Sequence, residues 1–344
     1  MRSTVKPGIL LGAIAAGLAL TAFVALANDR ATWVVQSFVS GVRILHTKGL
    51  SGSGQLVTVA DGGPWMDHPA LADPNRPFDC QNPNGSVGPL HRKVEAYLSS
   101  TCGGPGNCDN PHGTHDAGTI AGDAPPYGSW NDMDGHAFGS RLIVVDLGVG
   151  QCVPTDEELT AEVYQPSYDL GSRIVSEGFG TTNSGGFDYN TEAEESDEFA
   201  WNHKDYLMVI GSGNEGHKSC SGSGTACSTS ADCPHEVCVG GGGICSPGGG
   251  ACQFDSDCPP PNGHCVISGE GGTCQGSGAG CNSSNDCPLE QCPGFSRIRS
   301  EAQAKNVITV GASKNGSLAQ EVTSFSSWGP AADGRLKPTL LAPG

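Results

Sequence analysis

Residues 110–122 read Asn110-Pro111-His112-Gly113-Thr114-His115-Asp116-Ala117-Gly118-Thr119-Ile120-Ala121-Gly122. His112 directly follows a proline at the mouth of a helix built from small residues. Gly and Ala let another backbone pack closely, and a helix start can hold an imidazole half-exposed to a substrate. The competing reading is a glycine-rich buried helix whose His only caps its start. Sequence on either side decides between them.

Upstream, 56–60 (Leu-Val-Thr-Val-Ala) is a short apolar run rich in β-branched residues, which predicts a buried strand. Asp61 closes it, followed by Gly62-Gly63 and then Asp67-His68-Pro69-Ala70-Leu71. In open parallel sheets, working groups collect beyond the carboxyl ends of strands. Residues 72–109 read as loop-rich. Downstream, strands are predicted at 142–146, 173–176, 206–210 and 306–312, with helical stretches at 156–170 and 191–204. Strands alternating with helices predict an α/β fold, a doubly wound parallel sheet with helices on both faces.

Export shapes the rest of the reading. Residues 1–27 carry Arg2 and Lys6, an apolar run and Ala25-Leu26-Ala27, the pattern of a cleaved secretory signal. The rival is an uncleaved anchor. The net charge is −18, and losing Arg2 and Lys6 takes it to −20. Such acidity argues against nucleic acid or an anionic membrane as partner. The chain is therefore expected to be secreted, with no membrane contact after signal removal. Sixteen Cys in an exported chain predict disulfides. Cys80, Cys102, Cys108 and Cys152 are expected to form two bridges. Three pairings exist and spacing does not choose, although Cys102 with Cys108 would close the shortest loop.

The other twelve Cys fall in three groups of four within 217–294, each with spacing C-x6-C-x5-C-x4–6-C. Asp232, Asp257 and Asp286 precede the third Cys, and Pro234, Pro259 and Pro288 follow it. This is an internal repeat whose units hold few apolar residues, so bridges must carry their stability. Zinc is the alternative, but paired C-x2-C knuckles are absent. The chain thus divides into a signal (1–27), a first part of the main domain (28–216), a cysteine-rich insert (217–294) and a continuation (295–344).

Four further segments join the histidine run. Asp61-Gly62 with its downstream His-Pro-x-Leu, His112 in His-Gly-Thr-His-x-Ala-Gly-Thr, and Gly211-Ser212-Gly213-Asn214-Glu215-Gly216 occur in one order. Phe325-Ser326-Ser327-Trp328-Gly329-Pro330 and Leu341-Ala342-Pro343-Gly344 complete the series. Together they resemble the subtilases, the subtilisin-like serine peptidases. The resemblance implies a subtilisin-like sheet and a secreted endopeptidase acting on polypeptides. By it His112 is general base and then acid, Asp61 orients the imidazole, and Asn214 binds the oxyanion. Gly178-Phe179-Gly180 aligns with the family's substrate-pairing segment. No cofactor is needed for catalysis, and structural calcium is implied for many relatives. Asp132-Met133-Asp134-Gly135 hints at a calcium loop but lacks the later ligands, so a turn is the expectation.

Departures from the pattern carry their own expectations. Gly62 stands where Ser or Thr commonly follows the aspartate, and Gly178 where Ser is usual. Asp116 replaces a usual Val, four residues after His112 on the same helical face. A carboxylate there raises the imidazole's proton affinity or needs its own partner. No Gly-Thr-Ser-Met-Ala segment, the setting of the family's nucleophile, occurs. The chain is therefore expected to be a fragment of a peptidase, cut before the serine helix and inactive by itself. The alternative is a non-catalytic binding protein of the same fold. The insert, directly after Asn214, is expected to border the substrate cleft or dock a protein partner.

Overall fold

A computed structural model describes residues 28–100, 108–148, 159–180, 188–214, 298–323 and 325–344, with the backbone of short strands between 218 and 281. The predicted signal at 1–27 lies outside these residues. Among the described residues no helix is long and apolar enough to cross a membrane. Seven strands make the main sheet: β1 (Leu56–Asp61), β2 (Val94–Ser99), β3 (Arg141–Asp146), β4 (Ile174–Glu177), β5 (Leu207–Gly211), β6 (Ile308–Ser313) and β7 (Leu340–Pro343). Their spatial order is β7-β6-β5-β4-β1-β3-β2, and every pairing is parallel. The main helices are α1 (Asn28–Ser37), α2 (Pro111–Ala121) and α3 (Thr191–Asn202).

The side-chain alternation of β1 explains the two layers. Val57 and Val59 pack with Ala117 and Ala121 of α2, together with Leu142 and Val144 of β3. Ala60 faces the opposite layer, with Phe199 and Ala200 of α3 and Met208 and Ile210 of β5. A strand buried on both sides has no polar face to display, which is why 56–60 reads as a continuous apolar run. From β1 the chain lays β2 and β3 on one side, then β4 to β7 on the other. The direction of winding reverses between β1 and β4, so a crevice opens beyond their carboxyl ends.

The loop-rich interval 72–109 also holds β2, the edge strand beside β3, and one expected pairing needs correction. Only Val94 and Tyr97 of β2 are fully buried, and a register shift between Val94 and Ala96 breaks the two-residue period that would have revealed it. Cys108 bonds to Cys80, not to Cys102. Their Cα atoms are 5.8 Å apart although 28 residues separate them in sequence. Both cysteines belong to the layer that also holds Tyr97, and Phe78 packs on the Tyr97 ring at 5.5 Å. Tertiary packing therefore brings Cys80 to its partner, a contact that loop length does not encode. Cys102 and Cys152 lie outside the described residues.

Within 217–294 the described backbone forms short antiparallel pairs. Lys218–Cys220 pairs antiparallel with Ala226–Cys227 and Cys238–Val239. Gly243–Ser246 pairs the same way with Ala251–Cys252 and His264–Val266, and Gly272–Thr273 with Gly280–Cys281. The first and fourth Cys of the first two groups are direct register partners, Cys220 with Cys238 and Cys245 with Cys265.

Candidate active site

Asp61 ends β1, and α2 begins directly above the turn that follows it. Asn110 caps α2: its Oδ1 accepts from the backbone N–H of His112 at 2.9 Å and of Gly113 at 3.2 Å. The backbone N–H of Asn110 donates to Gly63 O at 2.9 Å, which ties the cap to the turn after Asp61. Two glycines make this approach feasible. A Cβ on Gly113 would run into the Gly62 carbonyl, and one on Gly62 would run into the Asn110 side chain. Gly62 is therefore required by Asn110, which fills the space a Ser or Thr would need. Asn110 is the site residue that sequence reasoning did not assign. Its position before Pro111 at a helix start was the available signal.

This packing delivers His112 to Asp61. His112 Nδ1 lies 2.9 and 2.8 Å from the two carboxylate oxygens. Asp61 is buried, whereas the His112 side chain is 58% exposed. Asp61 Oδ1 also accepts from Gly62 N at 2.7 Å. The bond to Asp61 raises the His112 pKa to about 9; burial opposes the rise, while the charges of Asp61 and Asp116 add to it. Asp116 is half-buried one turn further along α2. Burial, and then the Asp61 charge, push it up to about 7.

Other residues assigned from sequence line the same edge. Ala60 pairs in register with Glu177, and Glu177 with Ile210, so Asp61, Gly178 and Gly211 stand abreast across three strands. Gly178-Phe179-Gly180 continues from β4, with Gly178 N donating to Ala60 O at 3.3 Å and Phe179 packed on the α3-side core. Asn214 is exposed, three residues beyond β5. Its turn is anchored: Ser212 N donates to Val310 O at 2.8 Å and Ser327 N to Gly213 O at 2.9 Å. Ser212 is buried with its hydroxyl on Ser327 O at 3.2 Å, so it serves the turn. Gly213 has φ 109°, a conformation that a side chain disfavours. Arg299 joins the two walls, its N–H donating to Ser212 O at 3.1 Å and its side chain lying beside Gly180.

The metal expectations meet the same atoms. Among the described residues, Asp61, His112 and Asp116 form a group whose candidate ligand atoms lie within 4.8 Å of one another. An imidazole nitrogen does not suit calcium, which takes oxygen ligands, so this group does not fit the implied structural ion. Asp134 does not fit it either. Its carboxylate accepts from Ala124 N at 2.7 Å and Asn131 N at 2.8 Å, and Asp132 pairs with Arg43 at 3.2 Å. The segment is the turn expected from its sequence.

Glu177, just before Gly178, gives a separate pH signature. It is buried at the end of β4, and burial pushes its carboxyl from 4.5 to about 8, opposed by the Tyr164 hydroxyl. The folded state thus holds a proton that the unfolded chain releases above pH 4.5. Stability from this proton is present below that pH and is lost as pH rises through about 8. Thermal melts are expected to show Glu177→Gln gaining on the parent between pH 5 and 8, and a constant gap would remove the assignment.

Comparisons with known proteins identify the family. The model of the subtilase family matches residues 52–344. The serine protease/ABC transporter B family protein tagD of Dictyostelium discoideum is 28% identical over 309 residues, covering 86% of this chain and 16% of that protein. Its relative tagA is 33% identical over 173 residues, covering 48% of this chain and 9% of that protein. The chain therefore spans less than a fifth of these relatives' length. The serine protease of Aeromonas sobria, solved in complex with a chaperone, superposes with a TM-score of 0.50 at 15% identity, covering 92% of this chain and 43% of that one. That likeness concerns the fold. With β1, α2 and β5 all inside the matched span, this chain belongs to the subtilase family.

Proposed function

We propose that the complete gene product is a secreted subtilisin-like serine endopeptidase and that Asp61 and His112 are its proton-handling pair. The observation that carries this reading is the contact of His112 Nδ1 with both oxygens of buried Asp61, on an imidazole otherwise open to solvent. A carboxylate at Nδ1 keeps that nitrogen a donor and leaves Nε2 as the acceptor. Nε2 takes the proton of a serine hydroxyl as it attacks the peptide carbonyl, then returns it to the leaving amine. Asp61 stabilises the imidazolium formed between those steps.

Asn214, held by the anchored turn after β5, donates its side-chain amide to the oxyanion. The Gly178-Phe179-Gly180 backbone pairs with the extended substrate. The 344 residues hold no Gly-Thr-Ser-Met-Ala segment, so none of their serines is assigned as nucleophile and they alone are expected not to turn over peptides. A fluorophosphonate, which esterifies activated serines, tests the reading on the complete gene product. One adduct is expected, lost in His112→Ala. The absence of both an adduct and peptide cleavage, at neutral and at alkaline pH, would overturn the proposal.

A further inference from the structure

Two departures from the family pattern, Asp116 and Gly178, meet at one point. Asp116 and His112 are four residues apart on α2, so their side chains share a helix face. A candidate ligand oxygen of each of Asp116 and Asp61 lies within 4.8 Å of the other and of the His112 ring. The Oδ2 atoms of Asp116 and Asp61 both crowd the place where a Cβ on Gly178 would stand. A serine there would collide with two carboxyl groups at once. Gly178 and Asp116 are therefore coupled choices: the second carboxyl occupies the space that a side chain on the substrate-pairing segment would fill.

We propose that Asp116 is a positioning residue for the Asp61–His112 pair, sharing a proton with Asp61 in acid and adding a second negative charge beside the imidazole in alkali, in space that Gly178 leaves free. The inference rests on the reading of His112 as general base. Two carboxyls this close resist ionising together, and the proton held between them fixes the orientation of Asp61 while Asp116 stays neutral. Once Asp116 ionises, its charge adds to the proton affinity of His112. The free imidazole that can act as base then forms only as pH rises toward about 9. Among the described residues the surrounding charges are few. Asp61 faces Asp116 from β1, and His112 and His115 share its helix. Arg299, beyond Gly180, lowers the proton affinity of His112. The β4 extension contributes only Gly178 at this point.

The test reads His112 directly, by NMR titration of its ring nitrogens in the complete gene product. Asp116→Val and the near-isosteric Asp116→Asn are both expected to lower the His112 midpoint by about one unit or more, a tenfold loss of proton affinity. In the pH–rate profile, the alkaline rise should move down by the same amount. Gly178→Ser should disturb the parent but be accepted in the Asp116→Val background, a coupling that a merely structural Asp116 far from the pair would not produce. An unmoved midpoint in both Asp116 variants overturns the inference, as does an equal effect of Gly178→Ser in the two backgrounds. A moved midpoint in a protein that cleaves no peptide sinks the peptidase reading and leaves the positioning role standing.

Discussion

Replacing His112 by Ala is expected to lower kcat of the complete gene product by about 10⁴-fold or more, with KM little changed. The His112 side chain is 58% exposed whereas its partner Asp61 is buried. Removing it leaves the serine proton without an acceptor in the attack step and the departing amine without a donor in the next. Asp61→Asn should also cost about 10⁴-fold, because an amide can donate to Nδ1 and stabilise the wrong tautomer. The two losses will not add, since both remove one device. Steady-state hydrolysis of a peptide at alkaline pH measures this, where His112 is free of its proton. A His112→Ala enzyme within tenfold of the parent would mean that another group takes the proton.

Gly113→Ala is expected to be the most damaging glycine-to-alanine change among the described residues. In an ordinary helix, Ala in place of Gly stabilises by about 1 kcal/mol. Here the added methyl would overlap the Gly62 carbonyl and come within 3.2 Å of Asp61 Oδ1. The helix cannot simply lift away, because the Asn110 cap and the Asn110–Gly63 bond hold its start to β1. Overpacking of this kind costs about 1–3 kcal/mol. A shift of about 1 Å between His112 and Asp61 costs about 100-fold in rate. Thermal melts and kcat of this variant check both effects. A variant as stable and active as the parent would show that α2 is not clamped against the turn after Asp61.

The positions of Asp61 and His112 were legible because each sits in a local signal: an apolar strand that stops at a carboxylate, and a proline-led helix of small residues. Local signals also defined β1, β3, β4, β5 and β6, and the runs of β1 and β3 are buried on both faces. The edge strand β2 escaped, because only two of its six side chains are fully buried and its bulge breaks the period. Asn110 escaped as well, because a cap and a spacer that fills the room left by Gly62 look alike in one dimension.

Sequence alone determined the layered parallel fold and the pair of residues that a strand end and a helix start would carry, since strand and helix periods are local properties of the chain. Tertiary structure alone decided the Cys80–Cys108 bond, the clamp of Gly62, Gly113 and Asn110, and the meeting of Asp116 with Gly178 and Asp61. Each of these is a contact between residues separated by tens of positions, and what fits there depends on room left by a neighbouring backbone. No pattern within either segment records that room.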